Sequence, residues 1–226
     1  YNSFVTAPFW QTGPNGEVEP FLVADWTVSE DSTTITCDLA LDQGITWHDG
    51  EPLTMDDVLF TFDYNINVRK SSYGSYVDHA EQVDEDTIKV VLKEPGAYQW
   101  LKLVAGYFYV QPKHIWENID APKAYRGEDA VIGCGPYRFV SLDEDAQTSY
   151  YEAVSDTYLG REVTVKKVSL RSFDSNDALV MALRNGEIDA MYSYASPIPA
   201  TMASSITGVE HVEPGMSDNT GSYMIM

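Results

Sequence analysis

The residues of this sequence best suited to meeting a ligand are its tyrosines. There are 15 Tyr, with 8 Phe and 5 Trp, in 226 residues. A tyrosine offers a flat apolar face and one hydroxyl, which suits a pocket that holds a molecule without reacting with it. Most aromatic rings fill cores. The tyrosines at expected strand ends and loops, Tyr1, Tyr107, Tyr109, Tyr192 and Tyr194, are the exceptions to watch. Reactive constellations are missing by comparison. His48, His79, His114 and His211 are scattered and make neither an HExxH motif nor a paired ligand spacing. Cys134 has no local base. Gly133-x-Gly135 does not continue as a dinucleotide fingerprint, because position 138 is Arg. Asp143-Glu144-Asp145 and Asp174-Ser175-Asn176-Asp177 lack the glycine and the distal glutamate of a calcium loop. The visible chemistry is binding rather than catalysis, with no cofactor and no metal.

Composition narrows the classes further. Fourteen Lys and Arg against 35 Asp and Glu give a formal charge of −21. Such a field repels phosphate backbones and anionic lipid, which argues against nucleic acid and membrane-surface partners. No apolar run approaches the ~20 residues of a membrane span. The two cysteines, Cys37 and Cys134, are too few for a disulfide scaffold, and the sequence leaves a single bridge between them open. Both ends read as strands cut in mid-flow, without a signal peptide, so a piece of a longer protein is expected.

The elements that must position these residues are mixed. Gly13-Pro14-Asn15-Gly16 is a turn. Ile35, Cys37, Leu39 and Leu41 alternate with Thr34, Thr36, Asp38 and Ala40, which predicts a strand with one buried face. Thr54 caps a helix expected from Met55 to about Asn67, with Asp56 and Asp57 at its positive end. A strand follows at Ile88, Val90 and Leu92. Residues 98–110 read as a short helix and then a loop or strand, and Pro112 opens a turn or short helix through Trp116. Tyr137, Phe139 and the segment 148–153 suggest an antiparallel pair. Val163 to Ser172 reads as a strand. Asp174 or Ser175 caps a helix that Gly186 stops, and Ile188, Ala190, Tyr192 and Tyr194 alternate after it. Strand, helix, strand with short connections predicts a βαβ unit and a parallel pair.

Six segments together resemble the bacterial extracytoplasmic solute-binding proteins of family 5, the peptide, dipeptide and nickel-binding group of ABC importers. Pro20 to Asp31 is similar to a P-x-LA-x-x-W-x-x-x-x-D segment. Gly44-Ile45-Thr46-Trp47-His48-Asp49-Gly50-Glu51-Pro52-Leu53-Thr54-Met55-Asp56-Asp57-Val58 resembles the long HDG signature. Val83 to Ile88, Pro112-Lys113-His114 and Ala182 to Asp189 resemble three further segments. Gly133-Cys134-Gly135-Pro136-Tyr137 resembles GTGPY, with Cys in place of Thr. These motifs carry turn and cap chemistry, so they name a fold rather than a site.

The resemblance implies an α/β periplasmic-binding-protein-like lobe of type II, with a mixed sheet and the βαβ unit. Residues 1–32 and 131–226 would form a truncated first lobe, residues 33–130 an inserted α+β subdomain, and the second lobe would be largely absent. It implies a monomer that binds an oligopeptide or dipeptide between two hinged lobes and delivers it to the ABC transporter permease subunits. The protein would sit in the periplasm or, lipid-anchored, at the outer face of the membrane. The anchoring Cys would be neither Cys37 nor Cys134. Loop position makes Tyr1, Tyr107, Phe108, Tyr192, Ser193 and Tyr194 the pocket-facing residues of this lobe. Nickel chelate, opine or oligosaccharide binding, or a ligand sensor at the cell surface, stand as alternatives within the same fold.

Overall fold

The computed structural model describes residues 4–13, 15–119, 121–192, 206–208, 210–212 and 223–225. In chain order the strands are β1 (Trp10–Thr12), β2 (Val18–Pro20), β3 (Val23–Val28), β4 (Thr34–Leu39), β5 (Val77–Gln82), β6 (Thr87–Leu92), β7 (Tyr137–Asp143), β8 (Thr148–Ala153), β9 (Thr157–Tyr158), β10 (Arg161–Glu162), β11 (Lys167–Arg171), β12 (Ala190–Tyr192), β13 (Glu210–Val212) and β14 (Tyr223–Ile225). The α-helices are α1 (Met55–Asp63), α2 (Ala97–Val104), α3 (Lys113–Trp116) and α4 (Asn176–Arg184). The chain divides into two compact units. One comprises residues 1–12, 18–141 and 150–169, and the other 13–17, 142–149 and 170–226. Strands β7, β8 and β11 form a three-stranded sheet in the order β11-β8-β7.

The first unit is built on an antiparallel sheet of order β3-β4-β6-β5. The alternation read from the sequence is realised in β4, where Ile35, Cys37 and Leu39 are buried. Ile35 faces Val90 and Cys37 faces Ile88 across the β4–β6 ladder. The pairing of β3 with β4 also joins residues on both sides of position 32. Over this sheet lie Phe9, Trp10, Trp47, Phe62, Trp100 and Phe108, all essentially inaccessible. Burying each such side chain contributes roughly 1.5–3 kcal/mol before chain entropy is counted. The rings meet edge-on or tilted: Trp10 is edge-on to Trp100 at 5.7 Å, and Phe9 is edge-on to Phe62 at 5.3 Å. Trp100 Nε1 donates to the Tyr73 carbonyl (3.1 Å), so its one polar atom is satisfied inside the core. Strand β5 is not apparent from sequence, because only Val77 of its residues is fully buried and a bulge interrupts it between Val77 and His79.

The helix expected to reach Asn67 is α-helical only to Asp63, and Tyr64–Val68 is π-helical. Side chains redirect the backbone here. Thr61 Oγ1 donates to the Asp57 carbonyl (2.7 Å) and Asn65 Nδ2 to the Thr61 carbonyl (2.8 Å). Of the strand expected over Val163 to Ser172, Lys167–Arg171 forms as β11, whereas residues 163–166 are not strand, and there Lys166 Nζ donates to the Val163 carbonyl.

In the second unit, Ser175 is the cap of α4: its Oγ accepts from the Ala178 amide. Gly186, with φ of 69°, ends the helix as its sequence position suggests. Val180, Leu183, Met191 and Ile206 form a small core. The expected parallel pair is not formed among the described residues. Strand β12 pairs antiparallel with β14, and β11 belongs to another sheet. Strand–helix–strand order fixes neither the partner nor the direction once another strand is at hand.

Both cysteines are free thiols and buried. Burial pushes the Cys134 thiol up to about 12, and it raises the Cys37 thiol further.

Candidate functional site

Two of the resembling segments meet in space. The His48 amide donates to the Gly133 carbonyl (2.8 Å), and His48 Nε2 lies 3.0 Å from the Gly135 carbonyl. A carbonyl only accepts, so Nε2 carries the proton and Nδ1 is left bare, buried and unpartnered. The His48 ring therefore resists a second proton. Burial lowers its pKa below 6.5, and the Gly135 carbonyl only partly opposes this. The sign follows directly. As pH falls through about 6.5, the unfolded histidine takes up a proton that the folded one refuses, and stability drops. The fall continues to the folded pKa and then levels. Calorimetry between pH 7.5 and 5 is expected to show this component in the native protein and to lose it in His48→Gln, which keeps a donor but does not titrate.

Near these scaffold motifs, and wholly within the first unit, lies a cleft of about 450 Å³. Its wall is aromatic, with Tyr64, Tyr73, Tyr107, Tyr109, Trp116 and Tyr125. Its polar side chains include Asn65, Ser71 and Gln111, and its charges are Arg69, Lys123 and Arg126. No nucleophile stands beside a base in it, and no group of three or more metal-ligating side chains occurs among the described residues. A concave aromatic wall with a few polar tips holds and orients a ligand. A second cleft of about 490 Å³ in the same unit is lined by Asp38, Asp42, Asp86 and Arg161 beside Phe21 and Tyr158. Two of its polar side chains are engaged within the protein: Tyr158 donates to the Cys134 carbonyl (2.6 Å), and Arg161 to the Pro20 carbonyl (3.3 Å).

Of the six residues expected to face a pocket, Tyr107 lines the aromatic cleft and is 42% exposed. Phe108 borders the same cleft, but its ring is 2% exposed and belongs to the core, 5.2 Å from Phe9 and 5.0 Å from Phe62. Tyr192 lies in β12. Tyr1, Ser193 and Tyr194 lie outside the described residues. Tyr109, singled out by position alone, also lines the cleft, with its hydroxyl donating to the Gly106 carbonyl (2.6 Å).

Sequence reading missed Tyr64. It opens the π-helical turn after α1 and is 2% exposed. Its ring stacks on Phe60 at 5.1 Å and tilts against Trp116 at 6.3 Å. The aromatic pair at i and i+4, Phe60 and Tyr64, was the available signal.

Residues 17–225 match the family described as bacterial extracellular solute-binding proteins, family 5, middle region. A Brucella ovis protein whose name assigns it to ABC-transporter peptide binding is 31% identical over 179 residues, covering 76% of this chain and 32% of its own. The dipeptide-binding protein DppE of Bacillus subtilis is 24% identical, covering 93% of this chain and 40% of its own. The crystal structure of the ABC transporter substrate-binding protein CtaP from Listeria monocytogenes superposes with a TM-score of 0.73 at 28% identity, covering 93% of this chain and 42% of that one. The chain spans about a third to two-fifths of the length of these relatives. With the family matched from residue 17 to residue 225 and the fold matched over nearly the whole chain, this protein belongs to family 5 of the bacterial extracellular solute-binding proteins.

Proposed function

We propose that this chain forms part of the substrate-binding component of an ABC importer, which takes an oligopeptide or dipeptide outside the cytoplasm and passes it to the permease. The observation that carries this reading is the aromatic cleft, lined by tyrosine and tryptophan faces, amide side chains and cations, with no nucleophile–base pair. Relatives named for peptide and dipeptide binding support it. Rings and roomy walls tolerate varied side chains, whereas a peptide backbone needs only a few fixed polar contacts. In the whole protein a second lobe would close over the ligand, with closure favoured by contacts made only in the closed state.

Tyr107 is proposed to face the ligand, and Tyr1, Tyr192, Ser193 and Tyr194 are proposed to line the same space in the whole protein. The division into a first lobe at 1–32 and 131–226 and an inserted subdomain at 33–130 is part of this reading, although the β3–β4 pairing crosses its boundary at position 32. A place in the periplasm or a lipid anchor at the outer face of the cell membrane, and a monomeric state, complete it.

The test is a thermal shift of the full-length protein against pools of dipeptides, tripeptides and longer peptides, with a nickel–histidine chelate and oligosaccharides in parallel. A native-state ligand at 100 times its Kd raises stability by about 2.7 kcal/mol. A shift with a peptide pool and none with the others is the expected result. A shift with the chelate or the sugars alone would replace the peptide reading.

A further inference from the structure

We propose that the aromatic cleft holds a carboxylate of the ligand, with the Tyr64 hydroxyl and the Arg69 guanidinium as its recognition pair. This deepens the ligand-binding reading above and rests on it. Three observations converge on the same few residues.

The first is an orphaned donor. Tyr64 is 2% exposed, it lines the cleft, and its hydroxyl is buried without a hydrogen-bond partner among the described residues. Buried polar groups are almost always paired, so an unpaired one at a cleft wall points to an acceptor that arrives with the ligand. The second is the backbone. The π-helical turn closes with the Arg69 amide donating to the Tyr64 carbonyl (2.8 Å), which places Arg69 one turn beyond Tyr64. In an α-helix, residues five apart point in different directions. Single π turns of this kind occur frequently at functional sites. This one is braced. The Ser71 amide donates to the Asn65 carbonyl (2.9 Å), and a Cβ at Gly74 would stand 2.6 Å from that same oxygen.

The third is charge. The protein has 35 acidic and 14 basic residues, yet this cleft is lined by Arg69, Lys123 and Arg126 and by no acid. The neighbouring Asp129 accepts from the Tyr125 hydroxyl (2.6 Å). Arg126 donates to the Lys123 and Tyr125 carbonyls (3.0 and 2.7 Å), and a ligand carboxylate would gain charge-assisted hydrogen bonds from both the Arg69 guanidinium and a phenol. The carboxylate could be a peptide C-terminus, an acidic side chain of the peptide, or a free organic acid.

The experiment is calorimetric titration of the full-length protein with matched peptides: free acid against C-terminal amide, and glutamate against glutamine within the sequence. Tricarballylate serves as the non-peptide carboxylate. Tyr64→Phe and Arg69→Gln are compared with the native protein. The carboxylate form is expected to bind about tenfold tighter than its neutral counterpart, and either substitution is expected to erase most of that ratio. Tyr64→Phe should also raise the unfolding midpoint, because it removes a buried hydroxyl that has no partner. A residue with a purely structural role would not join lost affinity to gained stability.

The pair of swaps identifies which carboxylate is held. If acid and neutral forms bind equally, the inference falls and peptide binding stands. If no peptide binds in any form, the peptide reading falls and tricarballylate decides the inference. Binding of tricarballylate that Tyr64→Phe weakens sustains the inference, and its absence overturns it.

Discussion

Asp57→Ala is expected to destabilise the first unit by about 3 kcal/mol or more. Asp57 is 5% exposed and collects donors from three parts of the chain. Its Oδ2 accepts from the Thr54 amide (2.9 Å), the Thr54 hydroxyl (3.0 Å) and Trp47 Nε1 (3.4 Å). Its Oδ1 accepts from the Lys113 amide (2.8 Å) at the start of α3. Removing the carboxylate leaves the buried Trp47 Nε1 and the part-buried Thr54 and Lys113 donors without this acceptor, and a buried donor left unpaired costs more than an exposed one. For a unit of this size, ~3 kcal/mol corresponds to roughly 6–12 °C in the unfolding midpoint. Asp57→Asn should recover only part of the loss, since its amide nitrogen is a donor facing donors. A midpoint within ~2 °C of native for Asp57→Ala would mean that the carboxylate does not join these segments.

The second large effect is expected at Gly133. A Cβ built there would stand 2.0 Å from the Val5 carbonyl oxygen, and one at Gly135 would stand 2.6 Å from that of Phe4. The two segments run this close because the Gly135 amide donates to the Val5 carbonyl (2.7 Å) and the Tyr137 amide to the Phe4 carbonyl (3.0 Å). The obstacle is backbone, which cannot rotate away as a side chain can. Overpacking of this kind costs about 1–3 kcal/mol and occasionally more, and Gly133→Ala belongs at the upper end. It should also detach the His48 amide from the Gly133 carbonyl, so hydrogen exchange at His48 should accelerate along with global unfolding. Unchanged denaturant midpoints in Gly133→Ala would show that the segments separate without loss.

Both predictions bear on what the sequence could disclose. Strand β4 and helix α4 were legible because each is written in a single local pattern, alternation in one and a serine cap with a stopping glycine in the other. The resembling motifs were legible as scaffold, and the contact of His48 with Gly133 and Gly135 shows what that scaffold does. Asp57 was read as an acid favouring the start of a helix, which captures one of its contacts and misses Trp47 and Lys113. Those partners lie 10 and 56 residues away, and no local pattern announces them. The π turn at Tyr64 was hidden for a similar reason. Its brace, Gly74, depends on a close approach that only coordinates reveal. Loop position grouped Tyr107 and Phe108 as pocket-facing; Tyr107 lines the cleft, while the Phe108 ring belongs to the core, since adjacent residues of a loop turn to opposite sides. The antiparallel pairing of β12 with β14 rests on a strand 31 residues beyond it in the chain.

The two sealed thiols have a practical corollary for optical reporting. Cys37 and Cys134 are the sole cysteines, both lie in the core, and burial holds both in the unreactive protonated form at neutral pH. A biosensor built on this chain therefore needs no cysteine-free background. A single cysteine installed at an exposed position such as Tyr98, 62% accessible, would take a maleimide dye alone. The native protein serves as its own unlabelled control.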